Sequence, residues 1–166
     1  KYTITEFKKM LESYKDIDVL SLRSNLKEFL SEIIPVAEEK KVKMAIHPDD
    51  PPLPLFGLPR IVSKLDDYSY IFNSYNSNIN GMTFCAGSLA SSKINDVYKI
   101  FKKFKKKVFF IHLRNIVIEK DKKSFYESNH LNGDVDLVRL IKMILKEENR
   151  RSKYKKVDIP MRPDHG

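Results

Sequence analysis

At 166 residues and 42% hydrophobic content, the chain is long enough to bury one sizeable core and too apolar for a disordered segment. Its net charge of +9 opens a nucleic-acid reading. Against that reading, the sharpest basic run, Phe101-Lys102-Lys103-Phe104-Lys105-Lys106-Lys107, alternates as the solvated face of a helix does, and no aromatic–basic cluster marks a nucleic-acid module.

Thr3 and Glu6 stand at capping-box spacing and open a first helix, along which Phe7, Met10, Leu11 and Tyr14 recur at helical intervals. A second helix is predicted from about residue 22 to residue 39, with Leu22, Leu26, Phe29, Leu30 and Ile33 on one face. Pro35 inside it predicts a kink or a break. Residues 42–46 form the first predicted strand. The 13 residues that follow, 47–59, hold five of the eight prolines (Pro48, Pro51, Pro52, Pro54 and Pro59), so this rim loop has preset dihedrals and cannot join a ladder.

Ile61, Leu65, Tyr68, Ile71, Phe72 and Tyr75 make the next segment an amphipathic helix, and Asn80-Gly81 is read as the turn into a second strand. After Cys85, Ala86-Gly87-Ser88 is a strand-to-helix turn, and Ile94, Val97, Tyr98, Phe101 and Phe104 make another apolar stripe. A third strand at 108–111 is followed by a long polar loop to Gly133. A helix over about 134–149 carries Val135, Val138, Ile141, Ile144 and Leu145, and a basic link leads to a fourth strand at 157–161. The order αα(βα)(βα)(βα)β is a run of parallel crossover units in a single domain, residues 1–166.

Each of the four strands runs into a residue that binds metals or carries protons: His47 in MAIHPDD, Cys85 in GMTFCAGS, His112 in KVFFIHLRN, and Asp164 with His165 in VDIPMRPDHG. Parallel strands all end on one face, so these residues converge although they lie 38, 27 and 52 positions apart (47 to 85, 85 to 112, 112 to 164). Taken singly, a strand cysteine is usually a small core hydrophobe, a strand-end histidine is usually just hydrogen-bonded, and an aspartate before a histidine is often a turn residue. Four at successive strand ends outweigh those readings. Two imidazoles, a thiolate and a carboxylate suit iron, cobalt or zinc, and the carboxylate admits manganese.

His165 is the candidate general acid or base, poised near neutral pH. Arg114 and Arg162 flank the same rim, and Arg114 is the candidate that grips an anionic substrate bidentately. Arg60 and His130 are either substrate contacts or ordinary surface residues. The five glycines are scattered without a phosphate-binding fingerprint, which disfavours an open nucleotide-binding sheet. The predicted fold is α/β, a (β/α)8 TIM barrel represented by roughly half a barrel.

The motifs IHPDDPPLPLFGLPRIVS, NGMTFCAGS, FFIHLRN, HLNGDVD and IPMRPDHG closely resemble the mannonate dehydratases of hexuronate catabolism, in the same order over about residues 25–166. The resemblance implies a xylose-isomerase-like barrel, a requirement for Fe(II) or Mn(II), and ligand roles for His47, Cys85, His112 and Asp164. It implies dehydration of D-mannonate to 2-dehydro-3-deoxy-D-gluconate. It also implies further chain before Lys1 and a tail that supplies a tyrosine near the site, so residues 1–166 alone are not expected to catalyse the reaction. The open edges of a half-barrel are expected to make it unstable or to make it self-associate as a homo-oligomer.

The expected partner is a small acid sugar, with neither nucleic acid nor membrane. One cysteine excludes an internal disulfide, and no long apolar stretch or signal-peptide core is present, so the cytoplasm is the expected compartment. The competing readings are a sugar isomerase or epimerase on the same barrel, which a carboxylate-rich site would favour, and a basic metal-dependent nuclease.

Overall fold

The computed structural model describes residues 1–121, 124–154 and 158–164. Among these, six α-helices, six strands and a 3-10 turn at Lys105–Lys107 form: α1 (Ile4–Glu12), α2 (Val19–Glu39), β1 (Met44–Ile46), α3 (Leu65–Ser74), β2 (Asn80–Cys85), α4 (Ala86–Ala90), α5 (Val97–Phe104), β3 (Val108–His112), β4 (Asn115–Ile118), β5 (Phe125–Ser128), α6 (Leu137–Ser152) and β6 (Met161–Arg162). The main sheet has the order β1-β2-β3-β6, and each neighbouring pair is parallel. Each crossover thus advances one strand in the same direction. A doubly wound sheet would reverse at a switch point, whereas a barrel wall does not.

Strand β2 is buried along its whole length, as a strand covered on both faces must be. Its first two residues were expected to turn the chain, and instead they lie within the ladder. The Asn80 side-chain amide donates to the Tyr75 carbonyl at 3.0 Å, tying the strand to the end of α3. Gly81 is needed for close approach: a Cβ there would stand 2.3 Å from the Lys107 carbonyl oxygen and 2.4 Å from the Phe109 ring. Apolar side chains from α2 (Ile34), α3 (Tyr68, Ile71), α5 (Ile100, Phe101) and α6 (Leu140, Ile144) pack with Met82, Phe84 and Ile111 into one core.

The Thr3–Glu6 capping box forms as predicted, with Thr3 N donating to Glu6 at 2.7 Å and Glu6 N donating to Thr3 Oγ1 at 3.2 Å. Helix α2 starts earlier than expected, at the Asp18 cap, and runs through Pro35 without a break. Pro35 faces solvent, where water can satisfy the carbonyl that a missing N–H leaves free. Helix α3 starts later than the periodicity implied. Ile61 and Val62 are buried in the turn before it, held by Asp49, which accepts from Val62 N at 2.8 Å and Ser63 Oγ at 3.0 Å.

Other boundaries also shift. Ile94 is exposed and lies off the α5 stripe, and α6 begins at the Asp136 cap rather than at 134. The predicted polar loop after β3 contains an antiparallel hairpin, β4 with β5. The fourth parallel strand is found at Met161–Arg162, later than predicted, and Val157 lies outside the described residues. Among the described residues no helix is long and apolar enough to cross a membrane.

Candidate metal centre

Cys85 closes β2 and His112 closes β3, and the two are register partners across the ladder. Both are buried, because the strands that carry them lie inside the sheet. His47 follows β1 and is exposed. Ligand atoms of His47, Cys85 and His112 all lie within 4.8 Å of one another. The convergence predicted from strand ends is therefore present for these three.

His47 Nδ1 lies 2.7 Å from the Pro48 carbonyl oxygen and donates to it, which leaves the lone pair on Nε2. That Nε2 stands 3.3 Å from His112 Nδ1, and an Asp164 carboxylate oxygen stands 3.4 Å from the same nitrogen. Atoms bound about 2.1 Å from one ion in a tetrahedral arrangement stand about 3.4 Å apart, so the spacing suits ligands that share a cation. A ring N–H passed to a backbone carbonyl is also the usual second contact of a metal-binding imidazole. The donor set fits a divalent transition ion.

Asp164 lies outside the mutually close set of three and reaches it from the His112 side. Its backbone is left-handed, with φ +65°, and its carboxylate also pairs with Arg162 at 2.6 Å. An aspartate tolerates that conformation better than most residues. His130 Nε2 lies 3.0 Å from the Pro163 carbonyl oxygen and donates to it, because a carbonyl only accepts. It therefore braces the segment before Asp164. His165 lies outside the described residues.

The Cys85 thiol is pushed up by burial, an effect that the Ser88 hydrogen bond and the Arg114 charge partly offset and the Asp164 charge adds to. Ser88 Oγ donates to Cys85 Sγ at 3.0 Å.

Arg114 was expected to grip substrate, but its guanidinium is buried and already engaged. It donates through Nε to both Glu127 oxygens at 2.9 and 3.1 Å, through Nη1 to Asp50, and through Nη1 to Ser88 Oγ at 3.3 Å. Its own burial lowers its pKa, yet the Glu127 and Asp50 carboxylates outweigh that and raise it. The residue joins three parts of the rim: the proline loop through Asp50, α4 through Ser88 and the hairpin through Glu127. Sequence reasoning missed Asp50, Ser88 and Glu127. The consecutive β-branched run Ile116-Val117-Ile118 before a charged turn was the signal that could have exposed the hairpin. Arg60, after the proline loop, pairs with Asp49 at 3.5 Å.

Residues 1–166 match the family model for D-mannonate dehydratase (UxuA). The chain is 45% identical over 165 residues to the mannonate dehydratase of Chromohalobacter salexigens, covering 99% of this chain and 42% of that protein. It is 46% identical over 167 residues to the mannonate dehydratase of Saccharophagus degradans, again over 99% of this chain and 42% of the relative. The crystal structure of mannonate dehydratase from Streptococcus suis serotype 2 superposes with a TM-score of 0.84 at 38% identity, over 94% of this chain and 43% of that one. The chain therefore spans less than half the length of these relatives, and its parallel sheet corresponds to about half of the barrel.

Proposed function

This chain belongs to the D-mannonate dehydratase (UxuA) family, and we propose that the protein carrying it removes water from D-mannonate to give 2-dehydro-3-deoxy-D-gluconate. The observation that supports this most is the convergence of His47, Cys85 and His112 ligand atoms within 4.8 Å. In this proposal Fe(II) or Mn(II) is held by those three residues and by Asp164.

When bound, the ion supplies Lewis-acid stabilisation of the enediolate-like charge that builds as the C2 proton leaves. The protein's own residues do the rest. The Pro48 carbonyl and the Cys85–His112 register hold the donors in place. His165 is proposed to move a proton, either taking it from C2 or giving one to the departing C3 hydroxyl. For Arg114 to bind the substrate carboxylate, the acid would have to take the place of Asp50 or Glu127. We assign Arg114 instead to holding the rim together. Hexuronate catabolism is the proposed setting and the cytoplasm the proposed compartment.

The test is keto-acid formation from D-mannonate by the Mn(II)-loaded protein that carries this sequence. Turnover is expected, and Cys85→Ser is expected to remove it. Turnover of neutral aldoses without turnover of mannonate would replace this reading with an isomerase.

A further inference from the structure

On the reading that Cys85 is a metal ligand, we propose that Ser88 is a positioning residue for the Cys85 sulfur and that Arg114 fixes the direction of the Ser88 hydroxyl. Ser88 is fully buried on α4, one turn after Cys85. Its Oγ lies 3.0 Å from Cys85 Sγ and 3.3 Å from Arg114 Nη1. A guanidinium only donates, so the hydroxyl must accept from Arg114. Its single proton then goes to the sulfur. Without the arginine, a serine in a helix commonly turns its proton to a carbonyl one turn back.

The surroundings hold this arrangement in one orientation. Glu127 holds the guanidinium through Nε, and Asp50 holds the same Nη1 that donates to Ser88. Gly87 leaves room for it, since a Cβ at that position would stand 2.5 Å from Arg114 Cγ. In the first turn of helix α4, which replaces the expected strand-to-helix turn, residue 87 is small where the Arg114 side chain passes over it, and residue 88 is hydroxylic where Cys85 lies beside it. A hydroxyl donating to an anionic sulfur stabilises it and limits its swing. Ser88 thus does for Cys85 what the Pro48 carbonyl does for His47: each partner orients a donor atom from behind.

Co(II) is the probe, because thiolate ligation gives a sulfur-to-cobalt charge-transfer band that reports on the sulfur itself. The parent chain titrated with Co(II) should show the band, and Cys85→Ser should lose it. Co(II) binding by the parent without the band would overturn the ligand assignment, and the Ser88 proposal with it. With the band present, Ser88→Ala should weaken Co(II) binding roughly tenfold. It should also move the band to longer wavelength, since a sulfur that has lost a hydrogen bond holds its electrons less tightly. Ser88→Thr should restore both properties.

Arg114→Met should move the band in the same direction, and the double variant Ser88→Ala/Arg114→Met should move it no further than Ser88→Ala alone. A band that stays in place in Ser88→Ala, whatever happens to affinity, would make Ser88 a space-filling residue and overturn the proposal. Additive shifts in the double variant would show that Arg114 does not act through Ser88.

Discussion

The two inner strands of the sheet and the two outer ones bring donor groups to the rim by different means. Cys85 and His112 stand side by side at the ends of strands of six and five residues, buried and locked in register. His47 follows a strand of three residues and is exposed, and Asp164 lies beyond a strand of two residues in a left-handed conformation. The fold itself places the inner donors. Local contacts place the outer ones: the Pro48 carbonyl for His47, Arg162 and the His130–Pro163 bond for Asp164. Damage to the inner strands should therefore cost stability, whereas damage at the outer positions should cost only metal affinity.

The largest effect is expected beneath β3. Glu147 is buried on α6, and Arg151, which pairs with it, also donates to the Val108 carbonyl at the start of that strand at 2.9 Å. Burial raises the Glu147 pKa, but hydrogen bonds from Arg150 and Arg151 prevail and lower it from 4.5 to about 2. A carboxylate whose folded pKa is depressed contributes stability above its unfolded pKa and loses it as pH falls through the folded value. That contribution is on the order of 3 kcal/mol. Unfolding free energies from urea titrations of the parent and Glu147→Gln should differ by that amount at pH 7, and the gap should narrow as pH falls from about 4.5 towards about 2. A gap that does not change with pH would place the effect outside this ionisation.

Next in size is Gly81→Ala, which forces a Cβ against β3 and should cost about 2 kcal/mol. Gly57→Ala, in the proline loop, meets no atom within 4 Å but sits at φ +79°, so only backbone strain of about 1 kcal/mol opposes it. Thermal melts of the two variants compare packing in the sheet with strain at the rim. Equal losses would remove the distinction between inner strand and loop.

On metal affinity rather than stability, Cys85→Ser is expected to weaken binding of Fe(II) or Mn(II) by at least roughly tenfold because a hydroxyl is a poorer anionic donor. Asp164→Asn keeps a residue that tolerates the left-handed backbone but removes the charge. It should weaken metal binding several-fold and leave stability within about 0.5 kcal/mol. Isothermal titration and melting curves measure both quantities. A clear loss of stability in Asp164→Asn would show that the outer strand is as integral to the fold as the inner ones.

What was legible in the sequence follows the same division. Short apolar runs closed by turn residues fit buried parallel strands, so the positions of Cys85 and His112 at the inner strand ends could be read from the sequence. The capping box at Thr3 and the helical stripes are local signals and survive folding unchanged. Contacts between distant elements were not legible. Asn80-Gly81 has turn chemistry, but the approach of Lys107 and Phe109 makes it strand. Arg114 stands on the rim as predicted, yet which partners it meets depends on Asp50 and Glu127, which lie 64 and 13 residues away in the chain. The hairpin was hidden because its charged turn and short strands resemble a solvated loop.

The central claim is that one divalent ion is bound through a thiolate and two imidazoles at the ends of β1, β2 and β3. X-ray absorption at the iron edge of the anaerobic Fe(II)-loaded protein measures those bonds most directly. One sulfur scatterer at about 2.3 Å together with imidazole nitrogens at about 2.1 Å is expected, with the sulfur contribution vanishing in Cys85→Ser. An iron shell made only of nitrogen and oxygen would contradict it.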